Sequence, residues 1–219
     1  MKTIIWLTRH GETQWTVEQR FNGRRNLPLT DAGREQCQKL AMQLATQPLD
    51  AIISSPLLRS KETAEILARP HALTVITDKR FEEMDYGEWE GLTYEEAQSM
   101  DRELFSRWEN DPATVAPPGG ESGEQVAARV VAAFDDILGC HQGQQFLIVA
   151  HKTVNRILLC HMLDLPISDY RRSVAQGPCA LNQIEIQANG QILVKLPDEI
   201  NQKFSGKSHS FGSLFSRSV

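Results

Sequence analysis

An arginine and a histidine stand side by side at Arg9-His10, directly after the apolar run Thr3-Ile4-Ile5-Trp6-Leu7. A second arginine, Arg59, follows Leu49-Asp50-Ala51-Ile52-Ile53, and a second histidine, His151, follows Phe146-Leu147-Ile148-Val149-Ala150. A carboxyl group, Glu83, lies in the acidic and aromatic stretch over residues 80–92. Each apolar run reads as a buried strand, because β-branched and aromatic residues suit a pleated, covered surface. In a parallel sheet the carboxyl ends of the strands share one edge, and ligands bind there. The order of these residues along the chain therefore predicts two guanidinium groups, two imidazoles and one carboxyl around one point.

That set suits phosphoryl transfer without a metal. The reaction spreads charge over three equatorial oxygens and keeps the attacking and leaving atoms in line. Arg9 and Arg59 can fork onto those oxygens with paired donors, and His151, if protonated, adds another charged donor. His10 can attack phosphorus with one unprotonated ring nitrogen while the other donates to a backbone carbonyl and fixes the tautomer. The alkoxide leaving group needs a proton. Glu83 can give it and then activate water, provided that it starts protonated, which burial and a nearby dianion favour.

The elements that must position these groups follow from periodicity. Thr30 caps a helix whose apolar residues Cys37, Leu40, Ala41 and Leu44 share a face. A further helix begins near Pro56, with Leu57, Leu58, Ala64 and Leu67 on one side. Leu73-Thr74-Val75-Ile76 reads as a third strand, and residues 14–29 as a loop turning at Asn22-Gly23. Arg24-Arg25 beyond that turn is read either as a solvated basic turn or as a guide for an anionic substrate. Leu104, Phe105 and Trp108 form an apolar face expected to pack on the sheet rather than to cage a substrate. After the stop at Pro117-Pro118-Gly119-Gly120 a long helix carries Val126, Val130, Ala133, Phe134 and Ile137. Residues 180–187 and 191–196 read as a hairpin. Strands alternating with helices predict an α/β fold: a three-layer α/β/α sandwich around a mostly parallel central sheet.

Composition bounds the possibilities. The chain has 219 residues, 41% of them hydrophobic and 23% charged, enough for one sizeable core. A net charge of −5 leaves no basic footprint for nucleic acid. The apolar start is too short for a signal peptide and no long apolar run spans a membrane, so a cytoplasmic protein is expected. Four cysteines, Cys37, Cys140, Cys160 and Cys179, are irregularly spaced and suggest neither a zinc site nor a disulfide framework. No metal and no cofactor are expected. One catalytic domain over residues 1–197 and a flexible, serine-rich tail over 198–219 are expected, the tail's Phe204, Phe211, Leu214 and Phe215 offering a docking alternative. The remaining histidines, His71, His141, His161 and His209, read as surface or helix-end residues, and Glu12 as a structural partner near Arg9.

Arg9-His10-Gly11-Glu12-Thr13 resembles the signature of the histidine phosphatase superfamily, the phosphoglycerate mutase-like proteins. Ser54-Ser55-Pro56-Leu57-Leu58-Arg59-Ser60 resembles that family's second arginine motif; Glu83 ahead of Tyr86-Gly87-Glu88-Trp89-Glu90-Gly91 falls on its proton donor, and Val149-Ala150-His151 on its second histidine. The resemblance implies a phosphohistidine on His10, with Arg9, Arg59 and His151 in the phosphate pocket. Phosphate-binding candidates then extend to Thr16, Asn22, Gly23 and Lys152. Thr16 stands where the family often has asparagine, and Lys152-Thr153 replaces small residues. The segment from Leu92 to Pro117 is short and holds only Arg102 and Arg107, whereas the family's mutases carry a longer basic insertion. Net hydrolysis of a small phosphorylated metabolite is therefore expected, with α-ribazole phosphate, phosphoserine and sugar phosphates among the candidates. A cofactor-dependent phosphoglycerate mutase is the alternative, and a phospho-partner binding module is the alternative of another class. The oligomeric state is open, a dimer being one option.

Overall fold

The computed structural model describes residues 1–196 together with the backbone of His209 and Ser210. The strands are β1 (Thr3–Arg9), β2 (Ala51–Ser54), β3 (Val75–Thr77), β4 (Gln145–Ala150), β5 (Leu181–Ile186), β6 (Gln191–Lys195) and β7 (His209–Ser210). The α-helices are α1 (Gln14–Val17), α2 (Asp31–Leu44), α3 (Leu58–Ala68), α4 (Tyr94–Met100), α5 (Arg102–Asn110), α6 (Gly123–Cys140), α7 (Lys152–Met162) and α8 (Tyr170–Ser173). The strands form one sheet in the order β3-β2-β4-β1-β5-β6-β7. The first four strands are parallel, and β5 joins β1 antiparallel. The expected α/β sandwich is thus the observed one.

The layers follow from the two-residue period of the strands. Ile52, Leu147 and Val149 face one side, where α2 and α3 cover them with Cys37, Leu40, Leu44, Ala64 and Leu67. Ile53, Phe146 and Ile148 face the other, under Val126, Val130, Phe134, Ile157 and Leu158 of α6 and α7. Thr30 caps α2 through its side chain, and Ser122 and Gln125 close a capping box on α6. Thr30 thus starts α2 as the sequence predicts, and α6 begins shortly after the stop at Pro117-Pro118-Gly119-Gly120.

Several expectations are corrected. Residues 14–29 contain the single turn α1, because Thr13 and Thr16 cap it reciprocally. β1 runs on to Arg9 and the third strand is Val75–Thr77. α3 starts at Leu58, whose side chain points outward and is 43% exposed, so it does not share the buried face of Leu67. Phe105 and Trp108 do not pack on the sheet. They close a separate core with Phe21, Trp89 and Ala97, which roofs the strand ends. The expected tail lies outside the described residues, except that the backbone of β7 pairs with Gln191 and Ile192.

Candidate functional site

Strand register brings the two histidines together. Arg9 on β1 is the parallel partner of Ala150 on β4, so the next residues, His10 and His151, leave adjacent strands side by side. Their ring centroids are 5.2 Å apart. Ser54 on β2 pairs with Val149, and the chain then turns into α3, whose first turn delivers Arg59 beneath them. All four groups are buried, as is Glu83.

His10 is the centre. Its Nδ1 lies 2.7 Å from the Gly11 carbonyl oxygen, which can only accept, so Nδ1 carries the proton and Nε2 the lone pair. Burial first, then Arg59 and Arg9, hold its pKa well below the ordinary histidine value. The imidazole is neutral. Its lone pair is engaged, because Arg59 donates Nε–H to Nε2 at 3.2 Å.

The guanidinium of Arg59 is otherwise spent on backbone. Nη1 donates to the Arg25 carbonyl at 2.8 Å, and Nη2 to the Gly23 carbonyl at 2.6 Å. It therefore does not present the free fork that the sequence reading assumed. Arg9 donates Nη1–H to the Gln176 carbonyl at 2.9 Å, while its buried Nε–H has no partner among the described residues. Burial lowers both arginines to about 10, so both stay charged at neutral pH.

His151 corrects another assumption. Burial, then Arg59 and His10, push its pKa well below the ordinary value, so it is neutral and not a charged donor in this arrangement. Its Nε2 lies 2.8 Å from the Ser55 hydroxyl, and its buried Nδ1 has no partner among the described residues.

Glu83 is strung between two backbone donors. Oε1 accepts from Met84 N–H at 2.8 Å, and Oε2 from Thr153 N–H in the first turn of α7 at 3.1 Å. Arg129 on α6 fixes the loop from outside, donating to the carbonyls of Arg80, Glu82 and Glu83 while it holds Glu121 through two nitrogens. Gly87 in this loop has φ +52, and a Cβ there would collide with the Pro118 carbonyl, so only glycine fits.

Arg9, His10, Thr16, Asn22, Glu83 and Lys152 line one cavity of about 340 Å³, with Trp15, Phe21, Tyr86 and Tyr94 on its wall. The other candidates have distinct places. The Thr16 hydroxyl is engaged with Thr13 in the cap of α1. Asn22 donates to Thr13 Oγ1 at 3.1 Å. Gly23 does not line the cavity; it offers its carbonyl to Arg59. Lys152 stands exposed at the mouth and is lowered to about 8, first by desolvation and then by Arg156. Arg24 pairs with Asp85 of the acidic loop and with Glu121 just before α6, and Glu12 accepts from Thr30, not from Arg9.

Sequence reasoning missed Gln176, Arg129 and the hydroxyls that steady the site. Ser55 holds His151, and Thr63 accepts from the Gly11 N–H at 3.1 Å. Only Ser55 carried a signal, as a polar residue at a strand end.

The profile of the histidine phosphatase superfamily (branch 1) matches residues 5–199. Phosphoserine phosphatase 1 of Hydrogenobacter thermophilus is 34% identical over 190 residues, 87% of this chain and 90% of that protein. A Yersinia pestis protein named probable phosphoglycerate mutase GpmB is 32% identical, over 84% of this chain and 85% of its own. Other curated relatives, from Mycobacterium, are 40% identical over 163 residues, and the chain spans 44% of their length. Among solved structures, mycobacterial glucosyl-3-phosphoglycerate phosphatase Rv2419c superposes with a TM-score of 0.77 at 28% identity, covering 84% of this chain and 91% of that one. Among the described residues, no helix is long and apolar enough to cross a membrane.

Proposed function

The chain belongs to the histidine phosphatase superfamily, branch 1, and from that premise we propose that it hydrolyses a small phosphate monoester through a phosphohistidine on His10. One observation carries the reading. Beside a neutral imidazole of fixed tautomer lie two buried nitrogens without partners among the described residues, Arg9 Nε and His151 Nδ1. An unpaired buried donor such as Arg9 Nε–H costs about 1–3 kcal/mol, which an anion's oxygens would recover, and His151 Nδ1 can join it as a donor once protonated. Phosphate fits that need and the local excess of positive charge.

The steps follow from the geometry. A phosphoryl oxygen that takes the Arg59 Nε–H releases the lone pair of His10 Nε2. That nitrogen attacks phosphorus, and the P–O bond to the leaving group breaks. Glu83 passes its proton to the departing alkoxide, so the alcohol leaves neutral. Glu83 then takes a proton from water as the water attacks the phosphohistidine, and the P–N bond breaks to give inorganic phosphate. The dianion raises the proton affinity of His151, which becomes a charged donor only once substrate is bound. Lys152 at the mouth draws anionic substrates inward. The name of the phosphoserine phosphatase relative supports hydrolysis, and that of GpmB keeps phosphoglycerate mutation as the second reading.

The test is release of inorganic phosphate from a panel of monoesters with a chelator present. Hydrolysis absent in His10→Ala, with an acid-labile phosphoryl adduct trapped on wild type alone, is expected. Isomerisation of 3-phosphoglycerate with a bisphosphoglycerate primer, without phosphate release, would establish the mutase instead. Tight phosphate binding with no turnover would establish a binding module.

A further inference from the structure

Two cysteines that lie far apart in the sequence meet behind the nucleophile. Cys37 on α2 is fully buried, and its Sγ lies 3.7 Å from Sγ of half-buried Cys179, which stands just before β5. This is van der Waals contact between thiols, with nothing between them. The Cys179 backbone N–H donates to the His10 carbonyl at 3.3 Å. Gln176 in the same segment supplies the carbonyl that anchors Arg9. From the other side, Cys37 Sγ is 3.5 Å from Thr63 Oγ1, the acceptor for the Gly11 N–H. A Cβ on Gly11 would sit 2.7 Å from that sulfur, so Cys37 abuts the turn after His10.

We propose that Cys37 and Cys179 are an oxidation site, at which a hydroperoxide forms a reversible disulfide that displaces Arg9 and His10 and slows the enzyme. The chemistry balances. The thiolate of the pair attacks a peroxide oxygen; the O–O bond breaks, and water or an alcohol leaves with a sulfenic acid on sulfur. The second thiol attacks that sulfur, the S–S bond forms and the S–O bond breaks, and the thiol proton departs with hydroxide as water. Two thiols are oxidised and one peroxide is reduced. The close approach of the two sulfurs lowers the Cys37 thiol to about 7 and pushes Cys179 up, so Cys37 is the readier of the two to ionise. Cys160 is a contrast: buried apart from any thiol and pushed up to about 11, it is poorly nucleophilic.

A disulfide needs about 2.05 Å between sulfurs. Closing from 3.7 Å moves the 176–179 segment or the middle of α2, and the segment yields more readily, since Gly177 is exposed with open space beside it. It carries a backbone bond to His10 and the anchor of Arg9. Misplacement on the 1 Å scale costs up to about a hundredfold in rate, and the movement is shared between two elements, so a loss of about tenfold is expected.

The activity arm rests on the hydrolase reading; the mass arm does not. Full-length protein with Cys140→Ser, which removes an exposed thiol, is treated with hydrogen peroxide and then with dithiothreitol. Loss of two hydrogens, a peptide joining positions 37 and 179, an approximately tenfold fall in phosphate release and its return on reduction are expected. Added Cys37→Ser or Cys179→Ser should remove both the crosslink and the fall; if the hydroxyl that Cys37→Ser buries impairs folding, the half-exposed Cys179→Ser variant suffices. Absence of the joined peptide, an equal fall in the Cys179→Ser variant, or a crosslink with unchanged activity would each overturn the proposal. A protein that crosslinks but never releases phosphate would refute the hydrolase reading while leaving the oxidation site in place.

Discussion

Lowering the pH from 6.5 to 5 should destabilise this protein through two particular side chains. His10 and His151 are buried and neutral, each held well below the ordinary histidine value by desolvation and the nearby arginines. In the unfolded chain both titrate near 6.5. Below that pH the unfolded state binds up to two protons that the folded state refuses, so unfolding free energy falls as pH falls. The stability is complete above pH 6.5 and is lost going down. Each group contributes about 1.4 kcal/mol per pH unit, or about 2.7 kcal/mol for the pair. At about 2–4 °C per kcal/mol for a domain of this size, the midpoint should drop about 5–10 °C per pH unit. A carboxylate such as Asp78, held low by its bond from Arg80, contributes only as pH falls through the carboxylate range, outside this window. His71 and His161 are also lowered by burial, so variants must isolate the pair. Thermal unfolding of wild type, His10→Gln and His151→Gln between pH 6.5 and 5 gives the slopes. Each variant should lose about half of the pair's share. Inorganic phosphate, which favours protonation at the site, should flatten the wild-type slope. A slope that is the same in all three proteins would refute the assignment of neutral imidazoles.

Other consequences are direct. Glu83→Gln should lower kcat/KM, which reports transfer to His10, about 10²–10⁴-fold on alkyl phosphates and less on p-nitrophenyl phosphate, whose leaving group needs no proton; equal kcat/KM losses on both would remove Glu83 as the acid. Arg129→Met should destabilise by about 1–3 kcal/mol in urea titration, since the carbonyls of Arg80, Glu82 and Glu83 lose this donor, and should lower kcat by loosening Glu83. Lys152→Ala should raise KM about tenfold at low salt, and should abolish any basic limb near pH 8 in kcat/KM; an unchanged pH profile would deny Lys152 a place near substrate. Trp108→Ala, in the core that roofs the site, should cost about 3–5 kcal/mol in the same urea titration.

The legible parts of the sequence were those in which a local pattern carries a global consequence. Apolar strands alternating with amphipathic helices imply parallel strands, and parallel strands bring Arg9, His10, Arg59 and His151 to one edge. The cap Thr30 placed α2, and the stop at Pro117-Pro118-Gly119-Gly120 placed α6 after it. What stayed hidden depends on long-range partners with no local signature. Gln176 reaches Arg9 across 167 positions, and nothing in its neighbourhood marks a carbonyl as an anchor. Cys37 and Cys179 are 142 apart, and irregular spacing hid their contact. Phe105 and Trp108 gave the right period but the wrong partner, because a helical stripe states that a face is covered and not by what. The free fork assigned to Arg59 failed for a related reason: a residue type announces its donors, while the surrounding backbone decides which are already taken.

The contact between Arg59 and His10 shows how such a site is both stable and ready. Two guanidinium groups and two imidazoles in one buried space repel one another whenever an imidazole charges, and the structure meets this by keeping both rings neutral. Backbone carbonyls take up both terminal nitrogens of Arg59 and one of Arg9, so the charges are held without a matching carboxylate for each. The remaining donor of Arg59 rests on the nucleophile's lone pair, a weak partner compared with a phosphoryl oxygen. An anion would win that donor by replacing a neutral acceptor with a charged one, and in the proposed mechanism the exchange would free Nε2 as phosphorus approaches. A neutral ligand gains no comparable advantage and leaves the lone pair engaged. Selectivity for phosphate and activation of the nucleophile are, on this account, the same event, so Arg59→Lys, which removes the Nε–H, should weaken inorganic phosphate binding and lower kcat together; loss of one with the other unchanged would refute it.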